Sequence, residues 1–310
     1  MTSAENLAKM DHTTKTTAPR APDLDLAAQA ADAAAAASGV TVREVADLEE
    51  LGAVVELLSE IWGRAENPPV TIELLRALTK AGNYVGGAFV DDRLVGASVG
   101  FFHAPSEEAL HSHIAGVSAS TTSRSVGFAI KLHQRSWTLL RGVSEIVWTF
   151  DPLVRRNAHF NLVKLAAVPV EYLPNFYGAM ADRINAADDS DRLLVRWPLR
   201  DPAVGAAYSG EEARPAPDPG AAVALGVGPD GLPVPGRLDA ATSLVQVPAD
   251  IESLRHTDPA AAHLWRVAVR DVLSTLVRDG SQIIGLDHSG GYVVRRSMTD
   301  GTLQRSGNET

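Results

Sequence analysis

The chain has 310 residues, of which 45% are hydrophobic, a formal net charge of −10 and no cysteine. This length is enough for one large domain or two small ones, and the missing cysteine excludes disulfides, thiolate nucleophiles and cysteine-ligated zinc. The acidic charge argues against a nucleic-acid partner, and no apolar run is long enough to span a membrane. The N-terminus also lacks the pattern of a secretory signal, so we expect a cytoplasmic protein that binds no membrane.

The N-terminal residues 1–38 are predicted to be a disordered, Ala-rich arm. The first part is polar and contains proline, with no hydrophobic periodicity. The following segment AAQAADAAAAASG could form a helix, but it offers little beyond alanine methyl groups to bury.

Regular elements are predicted from residue 40 onwards. VTVREV alternates as a strand, and Asp47 can cap a helix with apolar residues at helical spacing. A second helix is predicted from Thr71 to the glycine at position 82. The segments YVGGAFV and LVGASVGFF, separated by DDR, predict an antiparallel hairpin.

The next region predicts strands and helices in alternation. LHSHIAGV is typical of a strand, Phe128–Arg141 of a helix, and SEIVWTF at 144–150 of another strand. A helix is expected over 157–167, then a tyrosine-bearing loop, then a strand over 192–199. The order β, α, α, β, β, β, α, β, α, β indicates a mixed α/β (α+β) fold.

The last third is predicted to begin with a Pro/Gly-rich linker or excursion over 201–240. A β-α-β extension is expected over 241–298, with a long helix from Asp258 and a frayed tail over 299–310. The extension has an apolar helix face that must be buried, either on the core of the same chain or in a homodimer.

Two histidines stand out on the predicted strand LHSHIAGV. His111 and His113 are two positions apart, so both side chains should face the same side of the sheet. Partial burial and mutual repulsion would lower their pKa values, which suits a general base acting on an ammonium substrate. A metal site and a pair of plain polar residues remain the alternatives.

The loop STTSRSVGFA joins that strand to the next helix. A helix start offers unpaired backbone N–H groups, and the small residues Gly127 and Ala129 would allow an anion to approach them. Arg124 adds positive charge. The segment indicates a pyrophosphate site, and an ordinary polar turn is the alternative.

The hexapeptide Arg124-Ser125-Val126-Gly127-Phe128-Ala129, together with the order of elements, resembles the GNAT superfamily of N-acetyltransferases. The resemblance covers about Val40–Leu199. The spacing of His111, His113 and Val117 is similar to that in the arylalkylamine N-acetyltransferase branch. Two departures stand out: the loop before Gly127 is two residues longer than usual, and Lys164-Leu165-Ala166 replaces the usual K-x-G-F.

The resemblance implies a GNAT acyltransferase domain over 39–200, with a partly splayed sheet flanked by helices. It also implies an acyl-CoA co-substrate, acetyl-CoA in the first instance, a small amine or amino-acid-like acceptor, and no metal. The residues that it places against the cofactor are Gly116, Val117, Ser118, Ala119, Arg124, Ser125, Val126, Gly127, Phe128, Ala129 and Asn157. For Asn157 a plain helix cap is an equal alternative.

The implied reaction is direct attack of the amine on the thioester. His111 or His113 would remove the amine proton, and Tyr177, or else Tyr172, would protonate the departing thiolate. Independently of the resemblance, Asp151 at the end of a strand could hold a substrate ammonium. A non-catalytic acyl-CoA-binding regulator and an acyl-CoA decarboxylase or hydrolase on the same scaffold are the competing functions.

Overall fold

The computed structural model describes residues 22–178, 188–210, 214–216 and 218–297, with the backbone alone for residues 22 and 122–124. The helices are α1 Pro22–Ser38, α2 Leu48–Trp62, α3 Ile72–Lys80, α4 Val126–Leu139, α5 Arg155–Ala158, α6 Pro202–Tyr208, α7 Ile251–Thr257 and α8 Pro259–Arg278. The strands are β1 Thr41–Glu44, β2 Tyr84–Val90, β3 Arg93–Phe102, β4 Ala109–Val117, β5 Glu145–Phe150, β6 Val168–Leu173, β7 Arg192–Pro198, β8 Ala222–Val227, β9 Pro233–Pro235, β10 Thr242–Val245, β11 Ser281–Leu286 and β12 Tyr292–Arg296.

Capping side chains set the starts of several helices. The Asp47 carboxylate accepts a hydrogen bond from the backbone N–H of Glu49 at 2.8 Å, and the Thr71 hydroxyl accepts one from Leu74 at 3.2 Å. Asp258 caps α8 in the same way. These contacts satisfy N–H groups that a helix start leaves unpaired, and they confirm the helix starts expected from the sequence.

A seven-stranded sheet with the order β1-β2-β3-β4-β5-β7-β6 forms one part of the fold. Its neighbouring strands are antiparallel except for β4 and β5, which are parallel. Parallel neighbours need a crossover connection, and α4 provides it. The architecture is therefore mixed α/β, as the sequence predicts.

Residues 22–38 differ from the disordered arm expected from the sequence, because they form the 17-residue helix α1. Ala27 and Ala31 are only 1% and 6% exposed, and α1 packs along α4. Small side chains let two helix backbones approach closely, so an alanine face can pack well without bulky apolar groups. The earlier part of the arm, residues 1–21, lies outside the described residues.

The segment expected to be a linker also differs, since 201–240 contributes α6, β8 and β9. Strands β8 and β9 belong to a five-stranded sheet with the order β11-β12-β10-β8-β9. Residues expected to form a linker therefore pair in one sheet with strands of the expected C-terminal extension.

One hydrophobic core unites the two sheets. It contains Trp197 of β7 together with Trp265 of α8 and Tyr292 of β12, all fully buried. The phenol of Tyr292 donates a hydrogen bond to the backbone oxygen of Pro152 at 2.7 Å. The C-terminal residues thus pack on the core of the first sheet. Within the described ranges no helix combines the length and apolar character needed to cross a membrane.

Candidate active site

A fork opens between the two parallel strands of the first sheet. Backbone pairing of β4 with β5 runs from Ala109 opposite Glu145 to His111 opposite Val147, and then ends. Both strands continue beyond this point, β4 to Val117 and β5 to Phe150. The carboxyl-terminal arms of the two strands therefore have no pairing with each other, although β3 and β7 still pair with their outer edges.

A β-bulge places the histidine pair at the base of this fork. The β3–β4 register shifts so that Gly100 faces Ser112 and Val99 faces Ile114, which leaves His113 as the extra residue. The ring centroids of His111 and His113 are 6.2 Å apart, and Phe101 stacks on His111 at 5.1 Å. The two histidines therefore share one face, as the sequence predicts.

The surroundings of His111 favour the neutral imidazole. Partial burial, followed by the positive charges of His113, His103 and Lys131, lowers the pKa of His111 to about 4. Partial burial also lowers the pKa of His113, although His113 is the more exposed of the two. Both rings therefore favour the uncharged form, in which one ring nitrogen can accept a proton.

The start of α4 lies at the open end of the fork, because a helix that connects parallel β4 and β5 must begin beside the carboxyl end of β4. A 3-10 turn over Ala119–Arg124 leads into it, and Ser125 adopts a left-handed conformation with φ of 59°. The backbone oxygen of Ser125 accepts hydrogen bonds from Phe128 and Ala129 at 3.0 and 3.2 Å. Helix geometry leaves the N–H groups of Val126 and Gly127 with no such acceptor.

The space beside Gly127 at this helix start is open. A Cβ at this position would meet only the Val117 side chain, at 3.7 Å, so packing does not require the glycine. Three of the other residues implied to contact a cofactor are engaged by the protein: the Ser118 amide donates to Val95 at 2.8 Å, and Val126 and Ala129 are buried. The side chain of Arg124 lies outside the described residues.

Gly116, in contrast, is required by packing. A Cβ there would come within 2.7 Å of Ile61 and 2.9 Å of Trp62, both on α2. The glycine therefore lets α2 lie close against the arm of β4 that borders the fork.

The two candidate tyrosines lie in different environments. Tyr177 is 42% exposed, and its hydroxyl is 3.2 Å from that of Thr149, on the β5 arm of the fork. Tyr172 is only 7% exposed and lies on β6, which replaces part of the expected loop. Its hydroxyl donates to Asp191 at 2.7 Å, and burial together with that carboxylate raises the pKa of Tyr172 far above its usual range. Of the two hydroxyls, that of Tyr177 is thus the one that a ligand in the fork could reach.

The structure corrects the expectation for Asp151. This residue is buried, and both carboxylate oxygens are occupied by Arg266, at 3.0 and 2.8 Å, while Arg255 contacts one of them at 2.6 Å. Although burial alone would raise the pKa of Asp151, the two guanidinium groups bring it far below its usual range. Asp151 therefore holds the C-terminal helices in place and has no room for a substrate ammonium.

Asn157 is also placed differently from the expectation. Helix α5 starts at Arg155 after Val154, so Asn157 is inside the helix and does not cap it. The chain then continues as a π-helical segment over His159–Lys164. Within this segment, Asn161 accepts a hydrogen bond from the indole of Trp148 at 3.2 Å, a contact with the β5 arm of the fork that sequence reasoning missed.

Sequence reasoning also missed Lys131, a buried lysine of α4. Its ammonium group donates to Ser112 at 2.9 Å and to Gln134 at 3.2 Å, and it lies 3.8 Å from the ring centroid of Trp148. Polar residues at helical spacing normally indicate a solvated face, but here the sheet and α1 both cover α4. The sequence signal that could have revealed Lys131 was a lysine inside a helix predicted to cross over the sheet between two parallel strands.

Two open grooves of about 470 and 410 Å³ lie beside Arg155 and Arg156, and neither is lined by residues of the fork. Among the residues that the structure describes, no group of three or more His, Asp or Glu side chains is arranged to hold a metal ion.

No protein-family model and no curated protein sequence matches the chain. Among solved structures, it is similar to an N-acetyltransferase from Staphylococcus aureus Mu50, with 13% identity over 52% of this chain and 99% of that chain and a TM-score of 0.44. It is also similar to the ribosomal-protein-S18-alanine N-acetyltransferase of Escherichia coli, with 10% identity over 52% and 94% and a TM-score of 0.42. A GNAT-superfamily phosphinothricin acetyltransferase from Sinorhizobium meliloti, in complex with AcCoA, matches with 13% identity over 52% and 89% and a TM-score of 0.44.

Proposed function

We propose that this protein is an acyl-CoA-dependent N-acyltransferase that acts on a small amine or amino-acid-like acceptor. The observation that carries the proposal is the fork between β4 and β5, which has a helix start at its open end and neutral imidazoles at its base. An extended pantetheine arm can pair with unpaired strand backbone, as an added strand would. The negatively charged diphosphate suits the start of α4 at Gly127.

The reaction would proceed by direct transfer. The amine nitrogen attacks the thioester carbon, the new C–N bond forms, and the C–S bond breaks. His111 or His113 takes the amine proton, and Tyr177 gives a proton to the thiolate. Backbone N–H groups of the β4 arm near Val117 would stabilise the oxyanion. We propose a cytoplasmic location. Contact between Asn157 and the cofactor stays a prediction, since the place of Asn157 inside α5 excludes only the capping role.

Binding of acetyl-CoA can be tested by calorimetry with a charge variant of the helix start. Gly127→Asp places a carboxylate in the first turn of α4, where the helix dipole favours it and the available space accepts it. Folding should be preserved, whereas acetyl-CoA should bind at least thirtyfold more weakly. Ala203→Asp makes the same change in the first turn of α6, at an exposed residue, and should bind as the wild type does.

Turnover can be tested by thiol release from acetyl-CoA across a panel of amines. His111→Ala, His113→Ala and Tyr177→Phe should still bind acetyl-CoA, and at least one histidine variant and Tyr177→Phe should lose most of the activity. Thiol release at full rate without any amine would indicate a hydrolase instead. Equal dissociation constants for acetyl-CoA in the wild type and in Gly127→Asp would contradict the proposed diphosphate site.

A further inference from the structure

Lys131 lies at the vertex of the fork. Its two side-chain contacts there, Ser112 and Trp148, are the residues that directly follow the last paired positions of β4 and β5. The ammonium group therefore lies between the first residues of the two separating arms. A ligand that enters the fork from its open end would have its innermost atoms beside this group.

No carboxylate among the described residues is seen to pair with the amine of Lys131. The side chain is 5% exposed, and within the described ranges its hydrogen-bond partners are the neutral groups of Ser112 and Gln134. Lysine is rarely buried to this extent unless it is paired with an acid. Elsewhere in the same protein the buried Arg266 is matched by Asp151. A buried cation at the vertex of the fork, paired there with neutral groups, is suited to a carboxylate brought by the ligand.

We propose that Lys131 selects an acyl-CoA donor whose acyl chain ends in a carboxylate, a thioester of a short dicarboxylic acid. This inference rests on the proposed acyltransferase function and concerns the donor, not the acceptor. The reaction is balanced as before: the amine nitrogen forms a bond with the thioester carbon, the C–S bond breaks, the base takes the amine proton, and the thiolate is protonated. The distal carboxylate takes no part in the chemistry and pairs with the ammonium group of Lys131.

Trp148 and Ser112 support this assignment by orienting the lysine. The indole ring lies under the ammonium group and is itself held by a hydrogen bond to Asn161 and by edge-on packing on Trp197. The Ser112 hydroxyl accepts from the lysine. Burial lowers the pKa of Lys131 to about 7, and a bound carboxylate would favour the charged form again. The lysine is thus positioned before the ligand arrives, which reduces the entropy lost on binding.

The test compares succinyl-CoA with butyryl-CoA, which has a chain of the same length and a methyl group in place of the carboxylate. We expect kcat/KM of the wild type to be at least tenfold higher with succinyl-CoA. In Lys131→Met this ratio should fall to one or below, with turnover of butyryl-CoA retained. Lys80→Met, which changes an exposed lysine of α3, should keep the wild-type ratio.

Two results would overturn the inference while leaving the proposed function in place: a wild type that uses butyryl-CoA as well as succinyl-CoA, or an unchanged ratio in Lys131→Met. If Lys131→Met does not fold, the ratio of the wild-type kcat/KM values for succinyl-CoA and butyryl-CoA decides on the inference alone. Absence of calorimetric binding for coenzyme A, succinyl-CoA and butyryl-CoA would instead remove the proposed function itself, and this inference with it.

Discussion

Replacing Lys131 with methionine should stabilise the protein at neutral pH. Burial lowers the pKa of Lys131 from 10.5 to about 7, so the folded state binds the proton far less tightly than the unfolded chain does. At about 1.36 kcal/mol per pKa unit, this difference costs on the order of 4 kcal/mol at pH 7. Methionine is similarly long and carries no charge. It loses the hydrogen bonds to Ser112 and Gln134, worth about 1 kcal/mol each, so a net gain of about 2 kcal/mol is expected.

The pH dependence distinguishes this cause from a simple packing effect. Between pH 7 and 10.5 the unfolded chain binds more protons at Lys131 than the folded chain, so the wild type gains stability as the pH rises. The advantage of Lys131→Met should therefore shrink by about 2 kcal/mol between pH 7 and 9. The neighbouring His111, with its pKa of about 4, titrates below this window.

Urea unfolding followed by circular dichroism at pH 7 and pH 9 measures both the stability gained by Lys131→Met and the change of that gain with pH. Lys80→Met serves as the control, since this lysine is exposed and its replacement should change the unfolding free energy by less than about 0.5 kcal/mol at either pH. A Lys131→Met protein that is less stable than the wild type by the same amount at both pH values would refute the reasoning.

Two further changes probe other parts of the fold. Asp151→Asn should lower the unfolding free energy by about 3–5 kcal/mol at pH 7 in urea titrations, because it removes the carboxylate that Arg266 contacts with two nitrogens and leaves Asp188 facing two buried guanidinium groups. Since the pKa of Asp151 lies below 3.8 in the folded state, the contribution is present above that pH and is lost on acidification. A cost under about 1 kcal/mol would contradict this prediction. Ser125→Gly should raise the urea midpoint by an amount equivalent to about 0.5–1 kcal/mol, because glycine adopts a φ of 59° without steric strain. An unchanged or lower midpoint would show that this conformation costs serine nothing.

Local signals in the sequence were sufficient for much of the first sheet and its helices. Asp47 and Thr71 predict helix starts through their capping chemistry, and the alternation around His111 and His113 predicts a strand with both rings on one side. The fork could not be predicted from the residues themselves, because the point where pairing ends is set by the crossover geometry of α4. The family resemblance supplied that expectation.

The misjudged regions have physical reasons. Helix α1 was missed because alanine gives almost no hydrophobic periodicity, although its small side chains pack closely on α4. Strand β9 consists of Pro233–Pro235, and proline in a short segment is normally evidence against a strand, except at a sheet edge, where β9 lies. The roles of Lys131 and Asp151 depend on partners many positions away, which no local pattern contains.

The buried charges around Asp151 also determine whether the chain can be shortened. Arg255 and Arg266 come from the C-terminal helices, yet they neutralise a carboxylate placed at the end of a strand beside the fork. A chain shortened after Leu199 would keep that anion and lose both cations, and it would also uncover Trp197. The half that carries the fork and the histidine pair should therefore not be stable on its own, and the two halves should melt in a single cooperative transition.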